Sequence, residues 1–202
     1  SRVAVIPNGV STSQARFVNS LISNQTLLFI GNLSYKPNIE GIHWFHKHVW
    51  PRLKELWPGL KWQIVGSWAD PSILRLASDD VRVDSDVPSV HPYLERSTIA
   101  ICPVFSGSGT RLKILEAFSA GIPVVSTSIG AEGLDAEPGV HLLIADSVED
   151  FAIALIHLLD NPSCGDAIRN QARALVVQKY DWGIISDMAA ENLLAVRNDS
   201  KN

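Results

Sequence analysis

The residues best suited to chemistry lie between Ser106 and Glu116. The run Ser106-Gly107-Ser108-Gly109-Thr110 is a glycine-rich turn, and Arg111, Lys113 and Glu116 follow it directly. Glycines in such a turn let bare backbone N–H groups approach a ligand. A helix that begins there aims its positive end at the same spot, which suits a phosphate. Arg111 and Lys113 add fixed positive charge, and the Glu116 carboxylate can accept hydrogen bonds from two adjacent hydroxyls. Arg111 and Lys113 are two apart on a helix, so they point in different directions. One of them reaches the phosphate and the other is a solvated face charge; the sequence leaves open which.

These groups need a scaffold, and the flanking residues supply one. Apolar runs at residues 98–104 and 123–126 bracket the turn and a short amphipathic helix, the order of a βαβ unit. Further strands are expected at residues 27–31, 62–65, 81–84, 98–103, 124–127 and 142–145. A helix capped by Asn38 is expected from about Ile39 to Trp57. It carries Ile42, Phe45, Val49, Leu53 and Leu56 on one face, is kinked by Pro51, and is ended by Pro58-Gly59. Shorter helical pieces fall at 71–77 and 91–96, and longer ones near 148–159, 164–179 and 182–196. Strands alternating with helices predict a Rossmann-like three-layer α/β domain. Its sheet has about six strands, mostly parallel, with helices on both faces. Such sheets bind ligands beyond the carboxyl ends of their strands. The turns after the first four strands contain Gly31-Asn32, Gly66-Ser67, residues 84–87 and residues 106–110, and one ligand can touch all four.

With 202 residues the chain is long enough for one well-buried domain. Its 46% apolar and 19% charged content is ordinary for a globular protein. The net charge, 17 − 21 = −4, argues against general nucleic-acid binding. Cys102 and Cys164 fit reduced structural thiols rather than a disulfide framework. No signal-like start and no apolar run near 18 residues is present, so a cytoplasmic location is expected. His43 and His46 lie three apart on a helix without an evident third ligand, which favours a helix surface over a metal site. Trp68, just past Gly66, packs at an edge or stacks on a base. No G-x-G-x-x-G follows the first strand, which disfavours a dehydrogenase.

The segment GSGTRLKILEAFSAGIPVVST resembles the nucleotide-sugar-binding segment of the family-4, two-domain (GT-B) glycosyltransferases. The resemblance continues in IPNGV from Ile6, similar to the hinge entering their C-terminal domain, and in FIGNL from Phe29, similar to its first strand and turn. PSVHPYL from Pro88 and Asp181-Trp182 follow in the family's order. This implies half of a GT-B fold: a hinge segment at 1–12, a nucleotide-sugar-binding domain at 13–180, and a C-terminal helix and tail at 181–202. It implies a retaining, metal-independent hexosyltransferase type of activity with no cofactor, using a UDP-, GDP- or ADP-linked sugar as donor.

Carried onto this sequence, the family's pattern makes Glu116, with Lys113 and Arg111, the groups that act on the donor: Glu116 takes the ribose hydroxyls and the two cations face the leaving diphosphate. Gly31, Asn32, Gly66, Ser85, Val87, Ser108, Gly109, Thr110 and Leu112 complete the nucleotide contacts. The chain departs from the pattern at Ser108, where the family has the first of two glutamates. It also departs at Asn32 and Pro37, where arginine and lysine stand (Lys36 lies beside the latter), and at Ser85, where glycine is usual. The resemblance further implies that an acceptor-side domain is missing, that the fragment alone is inactive, and that any peripheral membrane association runs through the missing half. A nucleotide-sugar epimerase of the same architecture and a non-catalytic α/β binding module remain open as rival readings.

Overall fold

Six short runs, most of them apolar and buried, form β1 (Thr26–Asn32), β2 (Lys61–Ser67), β3 (Val81–Ser85), β4 (Ile99–Cys102), β5 (Val124–Ser126) and β6 (Leu143–Ile144). The structure, a computed structural model, describes residues 5–13, 17 and 25–199, with side chains up to residue 194. The strands make one sheet in the order β3-β2-β1-β4-β5-β6, and every pairing is parallel. The helices are α1 (Lys36–Trp44), α2 (Trp50–Leu56), α3 (Pro71–Leu74), α4 (His91–Leu94) and α5 (Leu112–Ala120), with α6 (Ser128–Ala131), α7 (Val148–Asp160), α8 (Pro162–Lys179) and α9 (Trp182–Asp199) after them.

Side chains alternate across a strand, so every strand except the edge strand β3 feeds two cores. Leu27, Phe29, Trp62, Ile64, Ile99, Ile101 and Val125 pack with Phe45, Leu53, Phe151 and Leu155 of α2, α7 and the segment before α2. Leu28, Ile30, Val65, Ala100, Cys102 and Val124 pack with Leu115, Phe118 and Val176 of α5 and α8. The expected three-layer Rossmann-like α/β architecture is therefore present, with all six strands parallel. Burial on both faces explains why the strands read as continuous apolar runs.

Glycines set the backbone spacing at the carboxyl edge of the sheet. A Cβ on Gly66 would lie 1.7 Å from the Gly31 carbonyl oxygen, and one on Gly41 would lie 2.0 Å from that of Pro103. Both contacts draw backbone together at the carboxyl ends of the strands. Gly66→Ala is expected to lower stability by about 1–3 kcal/mol, a fall in Tm of several degrees for a chain of this size. A thermal melt superimposable on that of the wild type would contradict the close packing of β1 on β2 at this point.

Four expectations are corrected. The first helix is not capped by Asn38: it starts at Lys36, because Pro37 is already shaped for a first turn, and Tyr35 is the N-cap residue. Pro51 does not simply kink a continuous helix. A π-helical turn, Phe45–Val49, separates α1 from α2 and leaves Pro51 in the first turn of α2, where its missing N–H is harmless. The π turn changes the rotation of α2 relative to α1, so Leu56, expected on the buried face, is 61% exposed. Finally, α6 has no counterpart among the expected elements; its four residues are held by the Thr127 hydroxyl accepting from Gly130 N–H at 2.9 Å.

Other element ends differ from expectation by a few residues. Cys102 and Cys164 are free. No helix among the described residues is long and apolar enough to cross a membrane. Parts of the expected hinge (residues 1–4) and tail (200–202) lie outside the described residues.

Candidate functional site

The chain runs outward from β1 to β2 and β3, then returns to β4 on the other side of β1. Loops leaving β1 and β4 therefore part in opposite directions and open a crevice at the carboxyl edge, the position at which such sheets hold ligands. The β4–α5 loop crosses this crevice. Gly107 and Gly109 sit at φ +98° and +111°, values open to glycine and strained for other residues. A Cβ on Gly107 would also press on the Tyr35 hydroxyl at 2.6 Å, whereas Gly109 faces open space.

Immediately after the loop, α5 begins with no side-chain cap and no acidic residue in its first turn. The contrast with α7 is direct: there Ser147 caps, and Glu149 and Asp150 occupy the first turn. The first amides of α5 have no partner within the helix, as at any helix start. They add to the positive end of the helix dipole without a compensating acid.

Lys113 sits under this start. Its ammonium donates to Asn38 Oδ1 at 2.6 Å and lies 4.4 Å from the centroid of the Phe29 ring. No carboxylate lies within ion-pair distance of it among the described residues. Burial pushes its pKa down, with a smaller push from neighbouring Arg111 and opposing pulls from Cys102 and Glu116. Arg111 turns the other way. Its guanidinium donates to the Gly107 carbonyl oxygen at 3.3 Å and meets the exposed Glu132 carboxylate at 3.5 Å, while its buried Nε has no hydrogen-bond partner. The two cations do diverge, as their spacing requires, yet both line one cavity of about 130 Å³ together with Tyr35, Asn38, Ser108 and Thr110.

Glu116 does not line that cavity. With Leu112 one turn before it, it faces a neighbouring cavity of about 290 Å³ walled by Gly9, Val10, Ser11, His91, Ser119 and Trp182. Its carboxylate makes no hydrogen bond among the described residues, and burial raises its pKa against the opposing pull of Lys113. A half-buried acceptor without a donor is suited to a ligand's hydroxyls.

The remaining expected residues fall at the same edge with different tasks. Gly31, one residue before the end of β1, lies within reach of Lys113, since a Cβ there would lie 3.3 Å from the ammonium. The Asn32 side chain folds back into its own turn, accepting from Ser34 N–H and Ser34 Oγ, both at 2.8 Å. Lys36 points to Glu40 at 3.7 Å and is exposed. The Ser85 hydroxyl accepts from Ala69 N–H at 3.1 Å and donates to Asp86 at 2.6 Å, so it is engaged in holding two loops. Val87 is half-buried against the α5 core, and Gly66 serves the close approach of β1 and β2. Trp68 and Asp86 both adopt positive φ and are tied together by Trp68 N–H donating to Asp86 at 2.9 Å, which leaves the indole 68% exposed.

Three contributors escape a reading of the sequence. Tyr35 walls the smaller cavity, Asn38 holds Lys113, and Asn8 donates to the Thr110 hydroxyl at 2.7 Å, linking the N-terminal segment to the glycine-rich loop. Asn38 stands close behind the Gly31-Asn32 turn, a position that could have marked it.

Comparison with known proteins adds a family and a fold. Residues 24–161 match the family described as Glycosyl transferases group 1. The chain is 29% identical over 174 residues to an uncharacterized 44.6 kDa protein of the cps region of Klebsiella pneumoniae, covering 79% of this chain and 44% of that protein. It is 26% identical over 215 residues to the glycogen synthase of Mycobacterium tuberculosis, covering 100% of this chain and 50% of that enzyme. The chain thus spans about half the length of these relatives.

Among solved structures, the C-terminal domain of a group 1 family glycosyl transferase from Francisella tularensis matches with a TM-score of 0.71 at 17% identity. The match covers 86% of this chain and 100% of that one. HepE from Anabaena, solved with UDP and glucose, matches with a TM-score of 0.74 at 20% identity, over 94% of this chain and 56% of that one. These likenesses carry the fold, and the family match over most of the chain carries the membership: the chain belongs to the group 1 glycosyl transferases and has the fold of their C-terminal domain.

Proposed function

We propose that this domain binds the nucleotide-sugar donor of a retaining, metal-independent glycosyltransferase of the hexosyl-transferring type. One observation carries the reading. Lys113, at the uncapped start of α5 and beside the cavity under the glycine-rich loop, is held by a neutral amide and keeps its charge free for an anion. The HepE structure, which contains UDP and glucose, supports a UDP-linked sugar as the first candidate, with GDP- and ADP-linked sugars as the others.

The mechanism rests on where charge develops. Breaking the bond between sugar and diphosphate places negative charge on the leaving group, and donors fixed there stabilise the transition state more than the ground state. Lys113, Arg111 and the first amides of α5 are those donors. They supply by side chains and helix dipole what a divalent cation supplies in other enzymes, which is why the reading is metal-independent. Glu116 accepts from the ribose hydroxyls, and the loops after β2 and β3, with Gly66, Ser85 and Val87, lie where the base extends.

Transfer also needs an acceptor held against the donor, a contribution of roughly 7–11 kcal/mol to the barrier. We assign that task to the part of the relatives that this chain does not span, together with any membrane-facing surface. The chain by itself should bind donor and transfer nothing; the domain's setting is read as cytoplasmic.

A thermal-shift panel of UDP, GDP, ADP and their sugars tests the reading. A ligand at about 100 times its Kd should add about 2.7 kcal/mol of stability. A flat response to every member of the panel would overturn the proposal.

A further inference from the structure

Asn38 is 5% exposed and lies at the centre of the carboxyl edge, although it belongs to neither the glycine-rich loop nor α5. Its side chain makes two bonds. Nδ2 donates to the Asn32 carbonyl oxygen at 2.7 Å, and Oδ1 accepts from the Lys113 ammonium at 2.6 Å. These bonds fix the amide's orientation, because a carbonyl oxygen can only accept and an ammonium can only donate. Gly31 makes room for both groups: a Cβ there would lie 3.1 Å from Asn38 Nδ2 and 3.3 Å from Lys113 Nζ. The turn after β1 is thereby tied to the first turn of α5 through a single side chain.

The chemistry of that tie is informative. An aspartate has almost the same shape and would hold a lysine more strongly, as a charge-assisted pair. It would also neutralise the cation and leave the Asn32 carbonyl oxygen without a donor. The amide holds the ammonium in place and subtracts nothing from its charge. The Phe29 ring beneath adds a second neutral contact at 4.4 Å.

We propose that Asn38 is a positioning residue of the donor site, one that fixes the Lys113 ammonium toward the ligand's diphosphate while leaving its charge uncompensated. This inference rests on the diphosphate reading of the cavity given above. It goes beyond that reading in assigning the selectivity for the diphosphate to an uncharged residue on α1.

The test compares UDP with uridine by calorimetry on the wild-type chain and on Asn38→Asp and Asn38→Ala, with GDP or ADP and their nucleosides substituted where one of them binds more tightly. Asn38→Asp is expected to weaken the diphosphate by about tenfold or more and to leave the nucleoside nearly unchanged. Asn38→Ala, which frees Lys113 but keeps its charge, is expected to weaken the diphosphate by a smaller factor. A purely structural role weakens the nucleoside along with the diphosphate, because a disturbed turn after β1 does not distinguish the two ligands.

In a Lys113→Met background neither change should matter further for the diphosphate, and this cycle decides the question through Asn38→Ala if the aspartate variant does not fold. Equal losses for UDP and uridine, a larger loss in alanine than in aspartate, or failure of both variants to fold would overturn the proposal while the donor-site reading stood. A wild-type chain that binds no nucleoside diphosphate would bring down both.

Discussion

Lys113→Met is expected to weaken a nucleoside diphosphate by roughly ten- to a hundredfold, the range of one hydrogen bond to a charged group, and to leave the bare nucleoside almost untouched. Methionine keeps the side-chain stem against Phe29 and removes only the charge and the donor. The asymmetry between ligands identifies the role, because only the diphosphate carries the charge that Lys113 meets. The fold should be little affected. Burial lowers the pKa of Lys113, so folding disfavours its charged form and removal of the charge relieves that penalty, while Asn38 Oδ1 loses its partner in exchange. Calorimetry with matched nucleoside and nucleoside diphosphate provides the measurement. Equal losses for the two ligands would show that Lys113 acts through the fold instead.

Glu116→Gln should give the complementary pattern. Both ligands contain the ribose, so both should lose about the same factor, again roughly ten- to a hundredfold. Stability is predicted to move the other way. Burial raises the carboxyl pKa above its ordinary value of 4.5. Folding therefore favours the protonated acid, a contribution fully present below about pH 4.5 and lost as pH rises through the raised value. At neutral pH the charged carboxylate is a burden on the fold that glutamine lacks. Glu116→Gln should then melt no lower than wild type at pH 7 and lose any advantage in acid, the usual exchange of stability for function at a binding site. Thermal melts across pH check the sign; a variant less stable than wild type at pH 7 but not at pH 4 would contradict it.

The fold is legible in the sequence because its signals are local. Continuous apolar runs such as residues 99–102, too short for a buried helix, read as strands covered on both faces, and their alternation with amphipathic helices leaves few topologies. The glycine-rich turn and the cations after it are legible for the same reason, being contiguous in sequence. Features that depend on distance along the chain are not. Asn38 and Lys113 are 75 residues apart, and a residue of its type just before an apolar helix reads first as a cap. The divergence of Lys113 and Glu116 into separate cavities comes from what lines each side of α5, with His91, Trp182 and the segment around Gly9 walling the cavity of Glu116, which no local pattern encodes. The π turn before Pro51 is equally hidden, since proline announces an interruption of a helix but not which way the chain resolves it.

Amide chemical shifts of the isotope-labelled chain during titration with UDP, GDP or ADP report binding and its location together, and so decide whether a nucleoside diphosphate lies at the carboxyl edge of the sheet. The account predicts that at least one of these ligands shifts the amides of Gly31, Gly107, Gly109, Thr110, Leu112 and Glu116. It also predicts that the opposite edge stays still, where Lys61, Asp80 and Arg82 line a cavity of about 290 Å³. Shifts centred on that opposite edge, or no shift with any of the three at millimolar concentration, would contradict it.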